Sequence, residues 1–126
     1  MNVPNNLFYA KTHEWARKEG NKVYVGITDH AQHEITDIVH VELPEVGKEF
    51  SKEQPCAVVE SVKSAFDIYS PVSGKVVEVN EELLSAPELI NQSPYEKGYF
   101  FVLEVTNEED FKSLMNDEDY KKLIEA

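Results

Sequence analysis

Val58-Val59-Glu60-Ser61-Val62-Lys63-Ser64-Ala65-Phe66-Asp67-Ile68-Tyr69-Ser70-Pro71-Val72-Ser73-Gly74 reads as two strand-like runs separated by a short break. Ala57 to Val62 and Phe66 to Tyr69 are the runs, Lys63-Ser64-Ala65 is the break, and Pro71-Val72-Ser73-Gly74 closes the second run with a turn. The spacing predicts a β-hairpin with Lys63 at its tip. Hairpin geometry alone describes any surface lysine. What such a tip adds is a primary amine on a rigid support, open to acylation in a way that a guanidinium is not.

Two similar turns flank this hairpin. Pro44-Glu45-Val46-Gly47-Lys48-Glu49-Phe50 and Pro71-Val72-Ser73-Gly74-Lys75-Val76-Val77 both read Pro-x-x-Gly-Lys-x-apolar. Pro and Gly gather at turns in any protein, but the position of the two copies suggests a core with approximate two-fold symmetry.

Farther out the pattern stays short and β-like. Val23, Val25 and Ile27 alternate with Tyr24, Gly26 and Thr28, and Tyr99 to Val105 is a final strand. In Ile38 to Leu43 the alternation assigns Val39, Val41 and Leu43 to one face, with Ile38, His40 and Glu42 on the other. Val76, Val77 and Val79 form another strand, and the first dozen residues are irregular or a short edge strand. Asp29 is expected to cap a helix over His30 to Ile35, with Gln32 completing a capping box. Glu81 to Leu84 reads as a helical turn, and Pro87 to Pro94 as a loop. At the C-terminal end Thr106 and Glu109 suggest a capping box before Phe111, Leu114 and Met115. Asp117 is expected to cap a last helix with Tyr120, Leu123 and Ile124 on its apolar side. The expectation is a mainly β core with short helices, in one domain over residues 1–126, since turn signals at short spacing favour a sandwich or barrel over alternating βαβ units.

Composition narrows the function classes. Twelve Lys and Arg against 24 Asp and Glu give a net charge of −12, the wrong sign for nucleic acid. The charge serves solubility, or docking to partners with basic patches. No stretch approaches the roughly 18 apolar residues of a membrane span, and Met1-Asn2-Val3-Pro4 does not open a signal peptide. A cytoplasmic prokaryotic protein is expected, although an organellar protein stripped of its transit peptide would read alike. Cys56, the single cysteine, lies in an apolar run and reads as a small buried residue. His13, His30, His33 and His40 show no zinc spacing with a third ligand, so they are assigned structural or surface roles, with His13 and Trp15 packing the opening segment. Gly-rich phosphate loops and the Gly-x-Ser-x-Gly elbow are missing from the sequence, which argues against an enzyme.

Glu60-Ser61-Val62-Lys63 followed by Asp67-Ile68-Tyr69-Ser70-Pro71-Val72-Ser73-Gly74 resembles the lipoylation site of glycine cleavage H proteins. The resemblance extends in order along nearly the whole chain. It includes Tyr9-Ala10-Lys11-Thr12-His13-Glu14-Trp15, Val25-Gly26-Ile27-Thr28-Asp29-His30-Ala31-Gln32 and Asp37-Ile38-Val39-His40-Val41-Glu42-Leu43-Pro44-Glu45-Val46-Gly47. Later it takes in Glu78-Val79-Asn80, Leu89-Ile90-Asn91 and Ser93-Pro94-Tyr95-Glu96-Lys97-Gly98. Departures are mild: Ser64 and Phe66 replace smaller residues, Tyr99-Phe100 stands where tryptophan is usual, and His33-Glu34-Ile35-Thr36 differs from the usual Leu-Gly ending.

The resemblance implies a flattened barrel-sandwich hybrid of the lipoyl and biotinyl carrier type, with a C-terminal helical extension. It implies lipoate amide-linked to Lys63, with Glu60 read by the modifying enzymes. The arm takes an aminomethyl group from glycine decarboxylase (P protein), delivers it to aminomethyltransferase (T protein) and is reoxidised by dihydrolipoyl dehydrogenase (L protein). The loaded arm is expected to fold into a surface cleft with Glu14 and Asp67 among its lining acids. A monomeric, non-catalytic carrier follows, without nucleic acid, membrane or metal. A lipoyl donor for 2-oxoacid dehydrogenases would use the same lysine. A biotinyl carrier fits less well, because Val62 and Ser64 stand where methionines are usual beside the lysine.

Overall fold

The computed structural model describes residues 2–125; the ends of the expected domain, Met1 and Ala126, lie outside the described residues. Nine strands form two antiparallel sheets. The larger contains β1 (Phe8–Tyr9), β2 (Glu14–Glu19), β3 (Lys22–Ile27), β9 (Phe101–Val105), β8 (Gly74–Val79) and β5 (Glu49–Phe50), in that spatial order. The smaller is β4 (Ile38–Glu42), β6 (Pro55–Ser61) and β7 (Ala65–Tyr69), with β6 in the middle. Both sheets are open. Val23, Val25, Phe101 and Val76 from the larger sheet share one buried core with Val41, Val59 and Ile68 from the smaller. The fold is therefore the barrel-sandwich arrangement, mainly β with short helices.

Local chemistry explains the elements. Glu19 pairs with Lys22 across a two-residue turn, opened by Gly20 at φ 66°; Gly-Asn suits such a turn because its positive φ costs glycine little. The resulting β2 is a strand that period counting missed, because only its first three residues, Glu14, Trp15 and Ala16, are buried. The two Pro-x-x-Gly-Lys copies pair with each other. Glu49 faces Lys75, Gly47 N–H donates to Val76 O (2.7 Å) and Val76 N–H donates to Lys48 O (2.8 Å). An antiparallel pairing of two equivalent segments maps onto itself under a two-fold rotation, as the repeat suggests.

Several expectations need correction. In β4 it is Ile38 and Val41 that are buried, while Val39 is 53% exposed. A β-bulge between Ile38 and His40 inserts one residue into the ladder and turns Val39 out. The helix α1 (Asp29–Ile35) is capped by Thr28, whose hydroxyl accepts from Ala31 N–H at 3.2 Å; Asp29 instead accepts from Gln32 Nε2 at 2.7 Å. Two short helices follow β8, α2 (Glu82–Ser85) and α3 (Leu89–Gln92), the second inside the expected loop. At the C-terminal end, Asn107 caps a 3-10 helix (Glu108–Ser113) in place of Thr106, its Oδ1 accepting from Glu109 N–H at 3.1 Å. Asn116 caps α4 (Asp117–Glu125) through Asp119 N–H at 2.9 Å, in place of Asp117. Asn accepts in the β-region geometry that an N-cap requires, and which of two adjacent polar residues adopts it depends on the chain leading in. Tyr120 is buried and stacks on Tyr9 with ring centroids 4.7 Å apart, whereas Leu123 stays 41% exposed.

Candidate functional site: a lysine hairpin and a buried carboxyl

Lys63 lies in the connection Val62-Lys63-Ser64 between β6 and β7, exposed like both its neighbours. The turn is organised by Ser61. Its Oγ accepts from Lys63 N–H (3.1 Å) and Ser64 N–H (3.2 Å) and donates to Ser64 O (3.3 Å), which also takes Ser61 N–H at 2.8 Å. One hydroxyl thereby uses its full capacity of two acceptor sites and one donor. Val62 N–H donates to Asp37 O at 3.2 Å and ties the tip to the start of β4. The backbone beneath Lys63 is thus fixed, while its side chain projects into solvent. Sequence reading assigned Ser61 no role, although a serine two residues before a turn residue is a known local cap.

Glu60 is half-buried on β6, opposite His40 on β4 and Ala65 on β7. Its carboxylate, that of Glu42 and the His40 ring offer ligand atoms within 4.8 Å of one another. Counting histidine spacings missed this cluster because it is assembled across strands. His30 sits beside His13 (ring centroids 4.8 Å) and within 4.0 Å of Glu34, and His13 Nδ1 is 2.8 Å from Tyr120 Oη. Trp15 is fully buried, as expected, and its Nε1–H donates to Pro94 O at 3.0 Å. Cys56 is buried too; its thiol donates to Ile68 O (3.3 Å), and burial pushes its pKa up, away from thiolate chemistry.

Glu14, at the start of β2, is 1% exposed. Oε1 accepts from the Thr12 hydroxyl and Oε2 from Tyr69 N–H at 3.1 Å. Burial pushes its carboxyl up to about 7, and those two donors only partly offset the effect. Glu14 lines a cavity of about 450 Å³ together with Thr12, Tyr69, Pro71, Leu114 and Met115. Lys11, Lys52 and Glu53 also line it. Four separate stretches of chain meet here. Tyr9 and Met115 exchange backbone hydrogen bonds at 2.8 Å in both directions, holding the C-terminal segment against the opening one. Asp67 is not brought to this cavity. It is exposed on β7, opposite Val58, and lines a separate depression with Glu42 and Lys48.

Among the described residues, no helix is long and apolar enough to cross a membrane. The model of the family described as glycine cleavage H-protein matches residues 7–126. A glycine cleavage system H protein of Endomicrobium trichonymphae is 63% identical over 124 residues, covering 98% of this chain and all of that protein. That of Halalkalibacterium halodurans is 53% identical, with 98% and 96% covered. The crystal structure of a glycine cleavage system H protein from Mycobacterium marinum superposes with a TM-score of 0.89 at 32% identity, covering 98% of this chain and all of that one. With its hairpin, its two-sheet fold and these relatives agreeing along almost the full length, the chain belongs to the glycine cleavage H-protein family.

Proposed function

We propose that this protein, a lipoyl carrier of the glycine cleavage system, carries lipoate as an amide on Lys63 Nζ. The observation that carries the reading is the exposed amine on a turn whose backbone is closed by a single hydroxyl, that of Ser61. When bound there, lipoate supplies a strained disulfide able to accept an aminomethyl group with two electrons, and a long tether that raises the effective concentration of cargo at each partner. The chain itself supplies position. Ser61 and the Val62–Asp37 contact hold the attachment point still. Glu60 on the strand leading to Lys63 is the acid that a modifying enzyme reads.

Glu14 offers the carboxyl that a cationic cargo would meet in the cleft. With no cation beside it, burial keeps that carboxyl partly protonated near neutral pH, and a positive charge at hydrogen-bonding distance favours the carboxylate. Leu114 and Met115 give the cleft an apolar wall. Asp67, exposed on β7 and lining a depression apart from this cavity, would meet the arm only outside the cleft. The partners in this reading are glycine decarboxylase, aminomethyltransferase, dihydrolipoyl dehydrogenase and a lipoyl-attaching enzyme. The protein works as a single cytoplasmic carrier domain over residues 1–126 and catalyses nothing alone.

Intact mass and peptide mapping test the attachment, on protein made in cells supplied with lipoate. Lipoyl mass on the peptide holding Lys63, lost in Lys63→Arg, is expected; an unmodified Lys63 in lipoylation-competent cells, or biotin there, would overturn the reading. The cleft is tested by the lifetime of the loaded carrier, expected to shorten in Glu14→Ala and in Asp67→Ala. An unchanged lifetime removes that residue from contact with the loaded arm.

A further inference from the structure

The smaller sheet has one buried face and one open one. Its register assigns the open face: His40, Glu60 and Ala65 form one row, and Glu42, Val58 and Asp67 the next. Their inward-facing neighbours Val41, Val59 and Ile68 are buried, while His40, Glu42, Ala65 and Asp67 are exposed. None of the six is Lys or Arg. Glu42, Glu60 and Asp67 make no ion pair among the described residues. At the tip end the face continues into Val39 and Val62, 53% and 69% exposed. The bulge turns Val39 outward, and Val62 directly precedes Lys63.

Reach decides what can use this face. Enzymes that receive the loaded arm need only come within the length of the whole tether. An attaching enzyme must bring its acyl donor to Lys63 Nζ itself, so its footprint lies within a lysine side chain of the tip. The open face of β4, β6 and β7 adjoins the tip, apolar beside the lysine and acidic beyond it, with Lys48 in the depression that Glu42 and Asp67 line. Resting on the reading of Lys63 as the lipoylated residue, we infer that this face docks the lipoyl-attaching enzyme through a surface of that enzyme rich in Arg and Lys. Val39 and Val62 meet apolar groups next to its active site, and Glu42 and Asp67 meet cations at the rim. Charges at a rim act mainly on encounter and on salt dependence, and apolar contacts near the centre act on residence.

The test is the initial rate of lipoylation of unmodified full-length protein by a purified lipoate-attaching enzyme, across a range of salt concentrations. Glu42→Lys with Asp67→Lys is expected to lower kcat/KM by roughly tenfold or more, chiefly through KM, and to flatten its salt dependence. The uncharged pair Glu42→Gln with Asp67→Asn is expected to show a smaller loss of the same kind. Glu118→Lys with Glu125→Lys, both exposed on α4, matches the change in net charge and is expected to leave the rate unchanged. An unchanged KM in the Lys pair, with its circular dichroism matching the parent, would overturn the docking face. So would a loss that appears only with added Zn²⁺ and vanishes in EDTA, because His40, Glu42 and Glu60 would then hold a cation instead. If the parent protein is not modified at Lys63 at all, it is the lipoyl assignment that fails.

Discussion

The Lys63 tip and the Glu14 cleft divide the work of this protein, and they are built in opposite ways. The tip spans four consecutive residues, Ser61 to Ser64, and one hydroxyl closes it. The cleft draws on the segment before β2, the loop holding Lys52 and Glu53, the end of β7 and the C-terminal segment around Met115. A local turn tolerates change elsewhere in the molecule. A cavity made from four stretches fails when any of them shifts. The attachment point is local and exposed, and the part that would shelter the cargo is non-local and centred on a buried carboxyl.

The strongest way to break this contrast is to disturb the core beneath the cleft. A Cβ at Gly26 would lie 2.6 Å from the Trp15 ring, so Gly26→Ala must displace the residue next to Glu14. We expect a loss of about 2–3 kcal/mol by denaturant unfolding, with lipoylation of Lys63 persisting in the folded fraction. If lipoylation fails while the fold survives, the tip is not independent of the core.

Protonation of Glu14 comes next. Its carboxyl is raised from 4.5 in the unfolded chain to about 7 in the folded protein, so the folded form binds the extra proton. The stability this contributes is fully present below about 4.5 and is lost as pH rises through about 7. The span amounts to about 3.5 kcal/mol at most, at about 1.4 kcal/mol per pH unit. Glu14→Gln should flatten stability measured from pH 5 to 8; a parent protein with no decline over that range contradicts the burial argument.

A smaller effect is expected at the tip. Ser61→Ala leaves the Lys63 and Ser64 N–H groups to solvent and should cost about 1 kcal/mol. Because the attachment point loosens, lipoylation should slow at unchanged lipoate affinity of the enzyme, and Ser61→Thr should restore it. The smallest effect is on stability in Lys63→Arg. This exposed side chain makes no hydrogen bond or ion pair among the described residues, so the unfolding free energy should stay within about 0.5 kcal/mol of the parent although modification is abolished.

The same contrast explains what could be read in advance. Lys63 and its flanking strands follow from alternation and turn residues, because the tip is a local structure. The paired Pro-x-x-Gly-Lys turns were legible too, since equivalent segments can pair with each other. The opening motif singles out Glu14, but it does not show the burial of that carboxyl or its partner Tyr69, which is 55 residues away. Asp67 shares the hairpin with Lys63 yet faces a different depression, which strand side alone does not settle. The bulge at Val39 reversed an alternation that looked regular, because one inserted residue changes face without changing composition.

The β-rich core and the hairpin with its lysine follow from the order of residues alone, since they rest on near-neighbour periodicity and side-chain chemistry. Folding settles which caps close the helices, which face of β4 is buried, and that a carboxyl from β2, an amide from the end of β7 and a methionine from the C-terminal segment meet at one cavity. Those outcomes depend on contacts between residues far apart in the chain, and a local pattern carries no record of them.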